Sequence, residues 1–505
     1  MFGPESKLFP RASKLKGPGS SQYPGKEVGD IPDWKENYEY NLGREIMDPL
    51  KGLYYRCIVD HNATDVFAND LASGYWTLMI APPVVPASAI NYSNVFFVDP
   101  ISGNDSTGVI GRFDKPFLTI STAMSTANFT GGWSLTNKAL VWIRKGQYAN
   151  QGLVPYTNID VYCEAGVVFT GFFQLWDSFL GSATNFNWYG YAKFSLNMST
   201  QAFRWQFAST VFIQGDSFVN SGAISICIGV TVGTSDITYD FNSMESLTTL
   251  GNGYGFSWRN NCNGTVNVKK YIKVNQCSHD VRANHSGNIT INCPKNIMTA
   301  TNVYGGNFKQ IIYSSSSQVT SKIVLNGDTF DEGGYFGGIS AMLLIQAGSC
   351  EIIHNGNSQC NTVGMWNSGA GRIISNGTII STQTIGVNNG SGETYCKNGS
   401  LSVTGLASIR EFYVSGTARS WFVNTPMFME KVDSVMIQQD SNTSKIFMIN
   451  VTAEGGGLLG TLINAAVVGT VNQFTNVVAN KANVNVVNEL AQGFIVDALI
   501  KTPKF

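Results

Sequence analysis

The stretch from Val95 to Gly171 constrains the fold of this chain more than any other part of it. It opens with Val95, Phe96, Phe97 and Val98, an apolar, β-branched and aromatic run that reads as a strand. Asp99, Pro100 and Gly103-Asn104-Asp105 supply the turn chemistry that stops it. After Pro116, the apolar positions Phe117, Ile120, Ala123, Met124 and Ala127 recur at helical spacing, so a short amphipathic helix follows. Such a helix can cover the open end of a stacked sheet. Strands over Ala139 to Ile143 and Ile159 to Cys163 come next, with Gly146 and Tyr148 between them. Glu164-Ala165-Gly166 then turns the chain into Val167-Val168-Phe169.

That order of FVDP strand, Gly-Asn-Asp turn, KPFLTI helix, VWIRKGQY strand and turn-rich rung ending in GVVF resembles the N-terminal opening of pectate-lyase-like β-helix proteins. The resemblance implies an all-β fold, a right-handed parallel β-helix, and is to a fold rather than to one activity. It covers Val95 to Gly171 closely, and the later rungs match in texture. In many bacteriophage tail fibres and tailspikes the same opening follows a small N-terminal module, and this chain shows that order too.

At 505 residues the chain exceeds a single compact core, so several domains or one elongated solenoid are expected. Only 13% of residues are charged, against about 25% in ordinary soluble domains. With 12% aromatics the chain has ample surface to bury, and amide and hydroxyl groups are left to keep it soluble. A formal net charge of −1 gives no steering field for nucleic acid or anionic lipid, so neither partner is expected. Met1 to Asp30 lacks the apolar core of a signal peptide. No apolar run reaches the roughly 20 residues of a membrane span, so no membrane insertion is expected. Leu458 to Val468 comes nearest, and it is short and interrupted by Gly460, Thr461 and Asn464.

Nine cysteines, Cys57, Cys163, Cys227, Cys262, Cys277, Cys293, Cys350, Cys360 and Cys396, form no C-x-x-C pair, which argues against a zinc site and a full disulfide framework. Most lie in apolar runs and read as buried free thiols. His61, His279, His285 and His354 show no metal spacing and read as surface or turn residues. No metal and no cofactor is expected. Sequons at Asn62, Asn197, Asn263, Asn288, Asn376 and Asn450 arise by chance in so Asn-, Ser- and Thr-rich a chain.

Four regions follow. Residues 1–30, rich in Pro, Gly and Lys, cannot bury a core and read as a flexible arm that anchors to a larger assembly by ordering on binding. Residues 31–86 form a small β-module that resembles chitinase-type carbohydrate-binding modules at Trp34, Tyr38, Gly43, Tyr55, Cys57, His61 and Trp76. Gly43-Arg44 replaces that family's usual Gly-Asp. The aromatics of so small a module serve as its core or stack on sugar, and core packing is the preferred reading. Pro82-Pro83 and Pro86 form a stiff linker.

Residues 87–453 form the β-helix. Runs beginning near Val266, Ile289, Ile323, Ile352, Ile373 and Leu401 repeat irregularly at about 21 to 34 residues, the range of a solenoid. Asn326-Gly327, Asn355-Gly356, Asn376-Gly377 and Asn398-Gly399 recur at similar places in these runs. Asn and Gly tolerate left-handed backbone at a corner, and stacked Asn side chains can form amide ladders. Residues 454–505, small, apolar and nearly uncharged, read as a C-terminal oligomerisation region that protects the solenoid end. The phage-fibre resemblance implies a homotrimer.

No Ser-His-Asp, Cys-His, phosphate-loop or metal motif identifies a catalytic residue, and the catalytic residues, if any, are unknown. Two acidic clusters beside aromatics are the candidate glycan-binding residues: Asp328, Asp331 and Glu332 with Tyr335, and Asp236, Asp240 and Glu245 beside Tyr239 and Phe241. Carboxylates accept sugar hydroxyls and rings stack on sugar faces, whereas turn aspartates by default cap loops. The stretch from Phe172 to Phe207 adds Trp176, Phe186, Trp188, Tyr189, Tyr191, Phe203 and Trp205, some core and some a possible platform.

The expected function is a virion structural protein, a tail fibre or tailspike that binds bacterial surface polysaccharide. On this reading it is made in the host cytoplasm, located in the virion, and attached through its N-terminal arm to a phage tail or portal-proximal protein. A polysaccharide depolymerase, lyase or glycoside hydrolase, on the same scaffold is the alternative, and a purely structural virion component is a third.

Overall fold

The computed structural model of the chain describes residues 37–41, 45–47, 54–57, 59–64, 67–78, 94–177, 183–207, 209–222, 225–230, 235–246, 253–275, 277–282, 285–299, 310–314, 317–333, 341–361, 363–404, 410–429, 435–455, 461–465, 472–479 and 494–496. The N-terminal arm, the Pro-rich linker, Trp34 and Tyr335 lie outside them. So do most of residues 454–505.

From Val95 onward the strands join one continuous parallel sheet that winds as a three-faced parallel β-helix. The first face begins with Val95–Val98, Ala139–Ile143, Ile159–Cys163 and Phe186–Gly190 and continues through Lys322–Asp331, Glu351–Asn355, Arg372–Ser375, Glu393–Lys397, Arg419–Val423 and Lys445–Gly455. Long strands such as Cys262–Val274 bend across two faces, and their registers shift at the bend. The pairing runs on beyond residue 453: Asn472–Ala479 pairs with Lys445–Gly455, and Phe494–Val496 pairs with Asn472–Ala479.

Alternation of side chains along each strand fills the interior. On the first face one inward column runs Val266, Ile291, Leu325, His354, Ser375, Cys396, Phe422, Met448 and Phe474. Ile289, Ile323, Ile352 and Ile373 form a second inward column, so four of the sequence repeats are in register. Leu401 pairs instead with Ile379, on the second face. All of these isoleucines are fully buried, and burying each such side chain contributes about 1.5–3 kcal/mol.

The helix Ile120–Thr130 caps the N-terminal end and buries Ile120, Ala123, Met124 and Ala127, the positions its spacing predicted. Its start is fixed by the Thr119 hydroxyl, which accepts from the Thr122 amide at 3.2 Å. Asp105 of the preceding turn accepts from the amides of Leu118 and Thr119 at 2.8 and 2.9 Å. Before the β-helix, the short strands Glu39–Tyr40, Glu45–Met47, Tyr54–Cys57, His61–Asn62 and Trp76–Leu78 pair antiparallel, with a helix over Phe67–Ala72. Their core of Tyr40, Ile46, Tyr55, Cys57, Phe67 and Trp76 is continuous with Phe97, Trp142, Tyr162 and Tyr189, the outward column at the base of the first face.

The histidines differ from the sequence reading. His279, His285 and His354 are fully buried rather than at surfaces or turns. His279 occupies an inward position in register with Phe256 and Ile312 and stacks on the Phe256 ring at 4.7 Å. Period-two alternation put it inside, and an uncharged imidazole fits there as a flat ring. The eight described cysteines other than Cys227 are buried free thiols, as expected.

Candidate functional site

Six successive strands of the first face begin with the same four-residue pattern of charge, inward residue, outward apolar residue, inward residue. They are Lys322-Ile323-Val324-Leu325, Glu351-Ile352-Ile353-His354, Arg372-Ile373-Ile374-Ser375, Glu393-Thr394-Tyr395-Cys396, Arg419-Ser420-Trp421-Phe422 and Lys445-Ile446-Phe447-Met448. Parallel register stacks the first members into a column of charge and the third members into a column of apolar groups, both facing out.

A third outward column runs beside them. The Asn292 amide donates to Asn267 at 2.8 Å, Asn326 to Asn292 at 2.8 Å, Asn355 to Asn326 at 2.9 Å and Asn376 to Asn355 at 2.8 Å. Lys397 continues the column at the next register position. Each internal Asn uses one N–H and one carbonyl lone pair on its neighbours, and so retains a second donor and acceptor for a ligand.

In the charge column Arg372 lies between two carboxylates, 3.2 Å from Glu351 and 2.8 Å from Glu393. Lys322 sits 3.6 Å from Glu351, and Arg419 3.9 Å from Glu393. The hydrogen bond to Glu393 raises the Arg372 pKa, so this guanidinium is a permanent cation. Tyr395 stacks parallel on Trp421 at 4.3 Å, and Trp421 on Phe447 at 4.8 Å, each with planes within 7°. Lys397 covers the Tyr395 ring at 4.8 Å, and the Tyr395 hydroxyl donates to Glu393 at 3.1 Å. Partial burial and Glu393 both raise the Tyr395 pKa, which keeps it a neutral donor rather than a base.

The acidic clusters picked out in the sequence do not converge. Asp236 and Asp240 both lie on the first face, four residues and so about 13 Å apart along one strand, while Glu245 follows the bend onto the second face. Asp236 accepts from the Asn263 amide at 2.9 Å, Lys269 lies 3.9 Å from Asp240, and Glu245 accepts from Tyr271 at 2.5 Å. Tyr239 and Phe241, beside them in sequence, are fully buried, because alternation sends them inward.

Asp328 accepts from the Asn357 amide at 2.8 Å, Asp331 is buried and accepts from the Gly333 amide at 3.0 Å, and Glu332 lies 3.6 Å from Lys273. Asp331 thus caps its own turn, and Asp328 ties its coil to the next. In the N-terminal module Tyr55 and Trp76 are buried core, and Tyr38 is half-buried 4.9 Å from Tyr40. Phe186, Trp188, Tyr189, Phe203 and Trp205 are also core, while Trp176 and Tyr191 remain partly open.

Two Cys–His contacts that spacing did not reveal occur. Cys57 lies 3.6 Å from His61, and Cys262 3.2 Å from His285. Burial drives the Cys262 thiol up to about 12 and the His285 imidazole down to about 4, so the latter pair is neutral and poorly suited to nucleophilic chemistry. Among the described residues no group of three or more His, Cys, Asp or Glu side chains is placed to hold a metal, and no helix is long and apolar enough to cross a membrane. No protein-family model matches the chain, and neither the curated proteins nor the solved structures contain a match to it.

Proposed function

We propose that this chain is a bacteriophage tail fibre or tailspike that binds a bacterial surface polysaccharide along the outside of its β-helix. The observation that carries the reading is the outward strip of charge, apolar and amide columns on a rigid parallel sheet. Repeated hydrogen-bonding groups beside an apolar ridge suit a repeating, hydroxyl-rich ligand. The N-terminal arm then serves for attachment to the particle, and the C-terminal region for trimerisation.

Binding is favoured over cleavage by the charge column itself. A glycosidase needs two carboxylates with a glycosidic bond between them, about 5–5.5 Å or 6.5–9.5 Å apart. Here the Arg372 guanidinium fills the gap between Glu351 and Glu393 and hydrogen-bonds both. Incubating purified protein with bacterial capsule or lipopolysaccharide should give retention without new reducing or unsaturated ends. Release of such ends would make it a depolymerase, and neither retention nor release would leave a structural component.

A further inference from the structure

We infer that the strip takes an acidic, unbranched polysaccharide lying parallel to the helix axis, a refinement that rests on the glycan-binding reading above. Shape comes first. Six rungs about 4.8 Å apart make the strip about 24 Å long, and three columns make it about 13 Å wide. That footprint is roughly 300 Å², well short of the ~800 Å² per partner of a stable protein interface. A long, narrow footprint fits an extended chain, and the rung spacing is close to the length of one pyranose unit.

Charge selects the class. Across the three columns five cations, Lys322, Arg372, Lys397, Arg419 and Lys445, face two carboxylates, Glu351 and Glu393. The excess is concentrated toward Phe447, where Lys397, Arg419 and Lys445 stand against Glu393 alone. The rings add to this field. Because Tyr395, Trp421 and Phe447 are stacked in parallel, their negative faces are turned on one another and their positive edges point outward. A neutral sugar seeking a ring face finds little here, whereas an oxygen-rich anionic chain meets positive edges flanked by ammonium and guanidinium groups.

Calorimetry on the full chain with β-1,4-oligomannuronates of increasing length, and with neutral β-1,4-mannan oligomers of matching length, tests this. The acidic series should bind more tightly with each added sugar up to about the strip's length and then level off, and should weaken steeply as salt is raised. Arg419→Ala with Lys445→Ala should lower affinity at least tenfold without changing the unfolding midpoint, while Lys115→Ala, exposed in the turn before the capping helix, should leave affinity unchanged.

Equal binding of the neutral series without salt dependence overturns the acidic assignment and leaves glycan binding standing. Binding of neither series overturns both. Equal affinity for single-stranded DNA of similar charge would show a general polyanion surface and also overturn the assignment.

Discussion

Asn424 shows how one side chain serves two ends in this fold. Asn398, Asn424, Asn450 and Asn476 all have left-handed backbone, with φ of 58°, 50°, 54° and 53°. They form a second amide ladder, in which Asn424 donates to Asn398 at 3.2 Å and accepts from Asn450 at 2.9 Å. Asn424→Gly should remove only the ladder bonds, about 1–3 kcal/mol for two. Asn424→Ala should cost about 1 kcal/mol more, because a Cβ disfavours that backbone. Chemical denaturation of both variants checks the order, and equal losses would deny the backbone contribution. The glycines work differently: Gly356, Gly377 and Gly399 do not have positive φ, and a Cβ on any of them would strike the backbone of the coil before it. Close coil approach, rather than corner geometry, requires glycine there. The buried histidines set the acid response. Burial lowers His279 to about 3 and His285 to about 4, and it lowers His354 as well. The unfolded chain therefore binds protons first, near the ordinary His value of about 6.5. Stability should be fully present above that value and should fall as pH drops from 6.5 toward 4. The raised pKa values of Asp160, Glu164 and Asp177 act in the opposite direction above the ordinary carboxylate value of about 4, so they offset part of the histidine slope at the acidic end of the same window. His279→Phe, which keeps a flat ring against Phe256, should flatten the slope in that window, and an unchanged slope in thermal melts across that range would contradict the assignment.

At the scale of elements, local signals were legible and lateral ones were not. The capping helix could be read because Ile120, Ala123, Met124 and Ala127 satisfy one period within a dozen residues, and its N-cap and turn residues agree with that period. Asn326, Asn355 and Asn376 of the first amide ladder could be read because each follows an apolar run and precedes a Gly, whereas Asn267 and Asn292 of the same ladder lack that Gly. Which residues share a face could not, because coil lengths vary. Ladder partners are 34, 29, 21 and 26 residues apart at different rungs, so no single period aligns all the coils, and the even spacing of Tyr395, Trp421 and Phe447 holds only locally. The recurring tetrad at the start of six strands is the signal that would have aligned them. Density of carboxylates in the sequence points instead to Asp328, Asp331, Asp236 and Asp240, but Asp236 and Asp240 share an outward side about 13 Å apart with their aromatic neighbours turned inward, and Asp328 and Asp331 accept from backbone amides. The strip's ion pairs are distributed one per rung, which is invisible to any local density of charge.

For the whole molecule, the stacking that builds the strip also creates an open end. Lys445–Gly455 is paired on its outer side by Asn472–Ala479, and Val435–Gln439 by Thr461–Ala465. Removing residues 456–505 strips both of those partners away and leaves two parallel edges with their N–H and C=O groups exposed. A trimer held through this region would then lose its protection and its intersubunit contacts together. The truncated protein should sediment as monomer at low concentration and aggregate as concentration rises, whereas the intact chain should remain a trimer across the same range. On the proposed function, removing residues 1–30, the N-terminal arm, should by contrast leave oligomeric state and glycan binding unchanged and abolish incorporation into particles. If the C-terminal truncation sediments as the same stable trimer, the subunits are held through the β-helix itself. The outward strip is then a shared surface, whose cations face another subunit instead of a ligand.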